Sequence, residues 1–302
     1  MRQRPFQQVD VFTAIPLHGN PLAVVLDGEN LSDGQMQAFA AWTQLSETTF
    51  VLPPTPEGRA GGADYRVRIF TPGGELPFAG HPTLGTAHAW LRHGGRPQAA
   101  DRLVQECGVG LVTLRQQDGR YAFAAPALRR HDPETEKLAA VRDALGLAAE
   151  EVLAAQDLHN GPHWLGLLLP DVDTVLALEP DHAALKQLGI KVGVAARRAT
   201  APGLIRRASR EARAFVNHSD STDLEVRAFA APVGIAEDPV TGSLNASLAQ
   251  WLIEDGHMPL RYRARQGTAL GRAGEVFVHR DDTGQVWIGG DVVGCIRGEV
   301  TL

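Results

Sequence analysis

The chain repeats itself, and that repetition limits its fold more than any other feature. His18-Gly-Asn-Pro21, with the apolar run Leu22-Ala-Val-Val-Leu26 behind it, is echoed by His159-Asn-Gly-Pro162 and a run ending at Leu169. Each run leads to a helix signal. Ser32-Asp-Gly-Gln35 has capping-box spacing ahead of Met36, Phe39 and Ala40. In the second copy Pro180 marks a helix start, Leu185 and Leu188 follow, and Gly189 closes. Strands are expected next, at Thr48–Leu52 and Ile190–Val194. Val67-Arg-Ile-Phe70 then matches Val226-Arg-Ala-Phe229, and His81-Pro-Thr-Leu-Gly-Thr86 matches Asp238-Pro-Val-Thr-Gly-Ser243 at nearly the same offset. Both lead into apolar helical stretches ending in Trp-Leu. Glycine-broken alternating segments, 105–123 and 266–288, complete each copy.

A series of echoes in one order is a duplication. It predicts an α+β fold of two pseudo-symmetric halves, each a curved mixed sheet wrapped around a central helix. The first half is expected to span 1–125, with the chain end near 298–302 returning to it, and the second 126–297. The second half opens with a helix from Pro133 to about Leu145, capped by Gly146, whose Leu138, Val141 and Leu145 form one apolar stripe.

Composition narrows the function. At 302 residues, 44% hydrophobic and 21% charged, the chain has the balance of a globular protein with a sizeable core. A net charge of −6 argues against nucleic acid as a partner. The Arg-rich stretch Arg197, Arg198, Arg206, Arg207, Arg210 and Arg213 reads as a solvated face, since no aromatic residues interleave it. No apolar run is long enough to span a membrane, and the first residues do not read as a signal peptide, so a cytoplasmic location is expected. Cys107 and Cys295 are expected to be buried reduced thiols in separate strands. With no Cys-x-x-Cys or His-Glu-x-x-His pattern, no metal site is expected.

In a duplicated chain the default ligand site is the cleft between halves, faced by the two equivalent helix starts. Each has a proline placed as a first helical residue, preceded by His81 in one copy and Asp238 in the other. Free N–H groups and the positive dipole end make such helix starts ready to hold a carboxylate. Gly80, Gly85 and Gly242 would let a ligand approach the backbone, and Thr83, Thr86, Thr241 and Ser243 would add hydroxyl donors. The plainer alternative is capping, with Asp238 as an N-cap. Glu47, in Leu45-Ser-Glu-Thr-Thr-Phe50, is the other candidate. A glutamate at a strand edge is ordinarily solvated, but the corresponding stretch of the second copy, Gly189-Ile-Lys191, has no acid. One acid in a duplicated scaffold points to a single proton-carrying group, provided that it faces the cleft.

Asp10-Val-Phe-Thr13, Gly19-Asn-Pro-Leu-Ala-Val24, Leu45-Ser-Glu-Thr-Thr-Phe50, Phe78-Ala-Gly-His-Pro-Thr83 and Glu237-Asp-Pro-Val-Thr-Gly-Ser243 together resemble the phenazine-biosynthesis PhzF-like isomerase family. The resemblance covers nearly the whole chain. It implies a diaminopimelate-epimerase-like fold and cofactor-free isomerisation of a small unsaturated or cyclic carboxylic acid such as trans-2,3-dihydro-3-hydroxyanthranilate. It also implies a homodimer. By the same resemblance Glu47 is the proton shuttle, His81 and Asp238 assist it, and Ser46, Gly80, Gly242 and Ser243 line the substrate site. The chain departs from the family pattern at Leu17-His18 and at Leu244, where a small residue is usual and a leucine could change the pocket's volume. Two other readings stay open. One is a racemase or epimerase of the related fold, which would need a cysteine at each helix start. The other is a catalytically silent binding protein, which would be expected to lack Glu47, His81 or Asp238.

Overall fold

A computed structural model describes residues 1–117, 119–198 and 222–302. Of the Arg-rich stretch, Arg206, Arg207, Arg210 and Arg213 lie outside the described residues. Arg197 is exposed, and Arg198 donates to Glu225 at 2.6 Å.

The first half contains β1 (Gln3–Val11), β2 (Asn20–Val25), α1 (Asp33–Thr43), β3 (Glu47–Leu52), α2 (Pro56–Ala60), β4 (Tyr65–Thr71), β5 (Gly74–Leu76), α3 (Gly80–Arg92), β6 (Arg102–Cys107), β7 (Gly110–Gln117) and β8 (Arg120–Ala124). The second contains β9 (Arg129–His131), α4 (Thr135–Leu145), β10 (Ala154–His159), β11 (His163–Leu168), α5 (Val172–Ala177), α6 (His182–Leu188), β12 (Val192–Arg197), β13 (Leu224–Phe229), α7 (Gly242–Glu254), β14 (Arg261–Gln266), β15 (Gly274–Arg280) and β16 (Val286–Gly290). A last strand, β17 (Val292–Thr301), runs antiparallel to β1 along that strand's whole length.

The pairing repeats from one half to the other. β2 runs parallel to β3 as β11 does to β12, β3 antiparallel to β4 as β12 to β13, and β4 parallel to β6 as β13 to β14. The antiparallel strands β6–β7–β8 recur as β14–β15–β16. Pairing of β8 with β16 joins the two halves into one sheet. The expected architecture of two curved mixed sheets is present, each with its own central helix.

Those helices are α3 and α7. Most residues of each are buried, whereas α1 buries only Met36, Phe39 and Ala40. One apolar cluster runs through both halves, with Val9, Leu22 and Leu84 at one end and Leu244, Leu248 and Trp251 at the other. Leu244 belongs to this core and packs against Gly193, where an added Cβ would lie 2.3 Å from it. The expectation that Leu244 reshapes the pocket is therefore corrected.

Local signals mostly act as expected. Ser32 and Gln35 form the reciprocal capping box, and Gly146 and Gly189 take left-handed conformations at φ 70° and 68° that end α4 and α6. The start of α6 differs: Asp181 is the N-cap and accepts from the Ala184 N–H at 2.9 Å, which leaves Pro180 outside the helix. Cys107 is buried as a free thiol, whereas Cys295, in β17, is only half-buried.

Candidate active site

The starts of α3 and α7 meet. A Cβ added at Gly80 would sit 3.0 Å from the Gly242 Cα and 2.8 Å from the ring of Phe123. At Gly242 it would sit 3.0 Å from the Gly80 Cα and 3.1 Å from the His81 nitrogen. These two positions are glycine because the backbones of two helices approach there, closer than a side chain allows.

Neither helix has a side-chain cap, whereas Ser32, Thr55, Asp171 and Asp181 cap α1, α2, α5 and α6. First-turn N–H groups have no acceptor within their own helix, so two uncapped starts present their donors and positive dipole ends to one another. The prolines are not the first helical residues: α3 begins at Gly80, before Pro82, and α7 begins at Gly242, after Pro239. Asp238 is not the N-cap either. Thr241 holds that position, and its hydroxyl donates to Asp238 Oδ2 at 2.5 Å.

Asp238 is turned towards the other half. Its Oδ1 accepts from Asn20 Nδ2 at 2.9 Å and from Ser46 Oγ at 3.4 Å, both residues of the first half. Asn20 Nδ2 also donates to the Val240 carbonyl at 2.9 Å and lies 3.4 Å from His81 Nδ1. Both amide hydrogens go to Asp238 and Val240, so the longer contact to the ring does not set the imidazole tautomer. His81 Nε2 in turn faces Glu47 Oε2 at 3.5 Å. Glu47, the first residue of β3, has a side chain only 14% exposed. Glu47, His81 and Asp238 are thus brought together, with Ser46 and Asn20 between them. Glu47 Oε2, His81 Nε2 and Asn20 Oδ1 are buried and without hydrogen-bond partners. Such orphaned groups mark a site that is completed by something else.

The electrostatics separate the two carboxyls. Desolvation first, and the nearby Asp238 second, push Glu47 up to about 8, against the pull of Lys191. Asp238 is also raised by burial, but donors from Thr241, Asn20 and Ser46 oppose that rise. Both therefore hold a proton more readily than a solvated carboxyl, and Glu47 the more so because fewer donors oppose the rise. Burial lowers His81 to about 3, so its ring is neutral.

At the start of α7, Ser243 Oγ lies 3.4 Å from the Trp164 Nε1 donor, and the Ser243 carbonyl accepts from Asn160 Nδ2 at 3.1 Å. Asn160 Oδ1 is another buried atom without a partner. The threonines are not free donors: Thr83 bonds the Ala79 carbonyl at 2.9 Å, Thr86 bonds Thr49 at 2.9 Å, and Thr241 bonds Asp238. Gly85 packs against Leu22 and Val11 in the core, away from any ligand. Asn20, Asn160, Trp164 and Lys191 were not singled out as site residues from the sequence. The echoed His-Gly-Asn-Pro and His-Asn-Gly-Pro segments held the only signal for the two asparagines. Neither cysteine stands on a helix start, since Cys107 ends β6 and Cys295 lies in β17.

Residues 9–298 match the family described as phenazine biosynthesis-like protein, PhzC-PhzF. Among similar proteins, "Antisense-enhancing sequence 1" of Schizosaccharomyces pombe is 33% identical, over 99% of this chain and 99% of its own. A trans-2,3-dihydro-3-hydroxyanthranilate isomerase of Pseudomonas aeruginosa is 34% identical, over 92% of this chain and 90% of its own. The crystal structure of a PhzF-family phenazine biosynthesis protein from Bacillus anthracis superposes with a TM-score of 0.81 at 22% identity, over 100% of both chains.

Proposed function

The chain belongs to the phenazine biosynthesis-like family, and from that premise we propose that it is a cofactor-independent isomerase. Its substrate is a small unsaturated or cyclic carboxylic acid of the trans-2,3-dihydro-3-hydroxyanthranilate kind, and Glu47 shuttles the proton. The observation that carries this reading is the convergence of Glu47, His81 and Asp238 in a closed seam between the halves.

The substrate carboxylate lies against the first-turn N–H groups of α7, around Gly242 and Ser243, and against those of α3 after Gly80. The ionised form of Glu47 removes a proton from one carbon and returns the same proton to another carbon on the same face, so the carboxylate ends the turnover as it began it. A carboxyl raised towards neutrality is matched to both steps. The neutral His81, with a proton on Nε2, donates to the Glu47 carboxylate while that is charged and holds it in place. Asp238 accepts from Asn20 and Ser46 and so ties the two halves together beside the imidazole.

The racemase alternative lacks its two cysteines at the helix starts, and the site is asymmetric where that chemistry requires two matched groups. The test is solvent-deuterium incorporation into a panel of dihydroaromatic and amino-acid carboxylates, read by mass spectrometry. Glu47→Gln keeps the shape and removes the titrating group, so exchange should fall by about 10²-fold or more while binding persists. Exchange near the wild-type rate in Glu47→Gln would sink the proposal.

A further inference from the structure

The strand registers place Lys191 where symmetry would place a second Glu47. Thr48 pairs with Phe70 in the first half and Val192 pairs with Phe229 in the second, and the two phenylalanines close the repeated Val-Arg-x-Phe segments. One residue upstream of Thr48 stands Glu47, and one upstream of Val192 stands Lys191. Backbone pairing fixes Lys191, whose carbonyl accepts from the Leu165 N–H at 2.9 Å. Its ammonium lies over the ring of Trp164, 4.9 Å from the centroid. Trp164 is itself buried and reaches Ser243 at the start of α7. Lys191 is half-buried, and among the described residues it makes no ion pair. Glu47 is the opposite charge that acts on it, without a direct ion-pair contact between them, so the desolvated ammonium keeps a place for a further anion.

We propose that Lys191 is a substrate-binding residue: together with the start of α7 it pairs with the carboxylate of the substrate. Trp164 carries the ammonium on its ring and reaches Ser243, and the unpartnered Asn160 Oδ1 beside the same helix start accepts an N–H or O–H next to that carboxylate. The favoured ligand is therefore a carboxylic acid with a neighbouring amine or hydroxyl. Burial lowers the affinity of Lys191 for its proton while Glu47 raises it, which agrees with a cation that faces the cleft. This inference rests on reading the cleft as the substrate site.

The experiment is calorimetric titration of the whole protein with anthranilate and with 2-aminobenzamide, which keeps the amine and loses the charge. Wild type should bind the acid about tenfold or more tightly than the amide, as expected for a charge-assisted contact. Lys191→Met should bring that ratio close to one, and Lys191→Arg should retain most of it. Near-ultraviolet circular dichroism checks that both variants are folded. The proposal is overturned if wild type shows no preference for the acid, if Lys191→Met keeps the ratio, or if both variants lose acid and amide alike. The titration reads no turnover: a wild type that exchanges no protons would remove the isomerase reading, whereas a ratio indifferent to Lys191 removes only this one.

Discussion

The two halves share a pairing scheme and differ where they face each other. In the first half the residue opening the strand beside the cleft is an acid, Glu47, and the helix start carries His81. In the second half the equivalent strand position is the cation Lys191, and the segment before the helix carries Asp238. Duplication made the scaffold symmetric, and divergence put a cation in one half at the strand position where the other has an acid. On the function proposed above, this is a division of labour: one wall would move a proton, and the other would hold the molecule from which it comes. A symmetric pair of acids would instead suit a reaction that takes a proton from one face and adds it to the other.

The comparison can be broken most forcefully at the point where the halves touch. Gly242→Ala would place its Cβ about 3.0 Å from the Gly80 backbone, which no rotamer can relieve. Overpacking of this kind costs roughly 1–3 kcal/mol, so if the reaction needs the helix starts in contact kcat/KM should fall by about ten- to a hundredfold with little change in the sheet's circular dichroism. Turnover equal to wild type would show that the reaction does not need this contact.

A pH series sharpens the asymmetry with a smaller effect. Glu47 holds its proton more tightly folded than unfolded, with a value near 8 against an ordinary 4.5. The stability it contributes is complete below about pH 4.5 and is lost as pH rises towards 8. Glu47→Gln lacks that loss, so its urea midpoint should gain on wild type between pH 5 and 9. His81 works in the opposite direction, losing stability as pH falls from 6.5 towards 3, and it does so in both proteins. A midpoint difference that does not vary with pH would contradict the assignment of the proton to Glu47.

The smallest effect is expected from the thiols. Cys107→Ser and Cys295→Ser should leave turnover within about twofold of wild type, since neither residue stands on a helix start. A large loss in either variant would return attention to racemase chemistry.

Much of this was legible in the sequence because the duplication is written twice, once in each half, and because caps such as Ser32 and Gly146 act over three or four residues. The uncapped helix starts and the meeting of Gly80 with Gly242 follow from the same repeat. Less legible were contacts decided by distant chain segments. Asp238 looks like an N-cap locally, but its oxygens are taken by Thr241 and by Asn20, which lies far away in sequence. Lys191 falls in the stretch that corresponds to Glu47, but only the strand register shows which of its residues occupies the acid's place. The helix α5 was missed because it is short, although Asp171 three residues ahead of Thr174 is a capping signal.

The pairing of β17 with β1 has a consequence for how the protein is made. Gln3 lies opposite Thr301 and Val11 opposite Val292, so β1 waits for β17, which is made after every other strand of the fold. Until β17 is made, β1 can pair with β2 on one side only, and its other edge presents unpaired backbone to any neighbouring strand. The half that holds Glu47 thus stays incomplete until β17 has been translated.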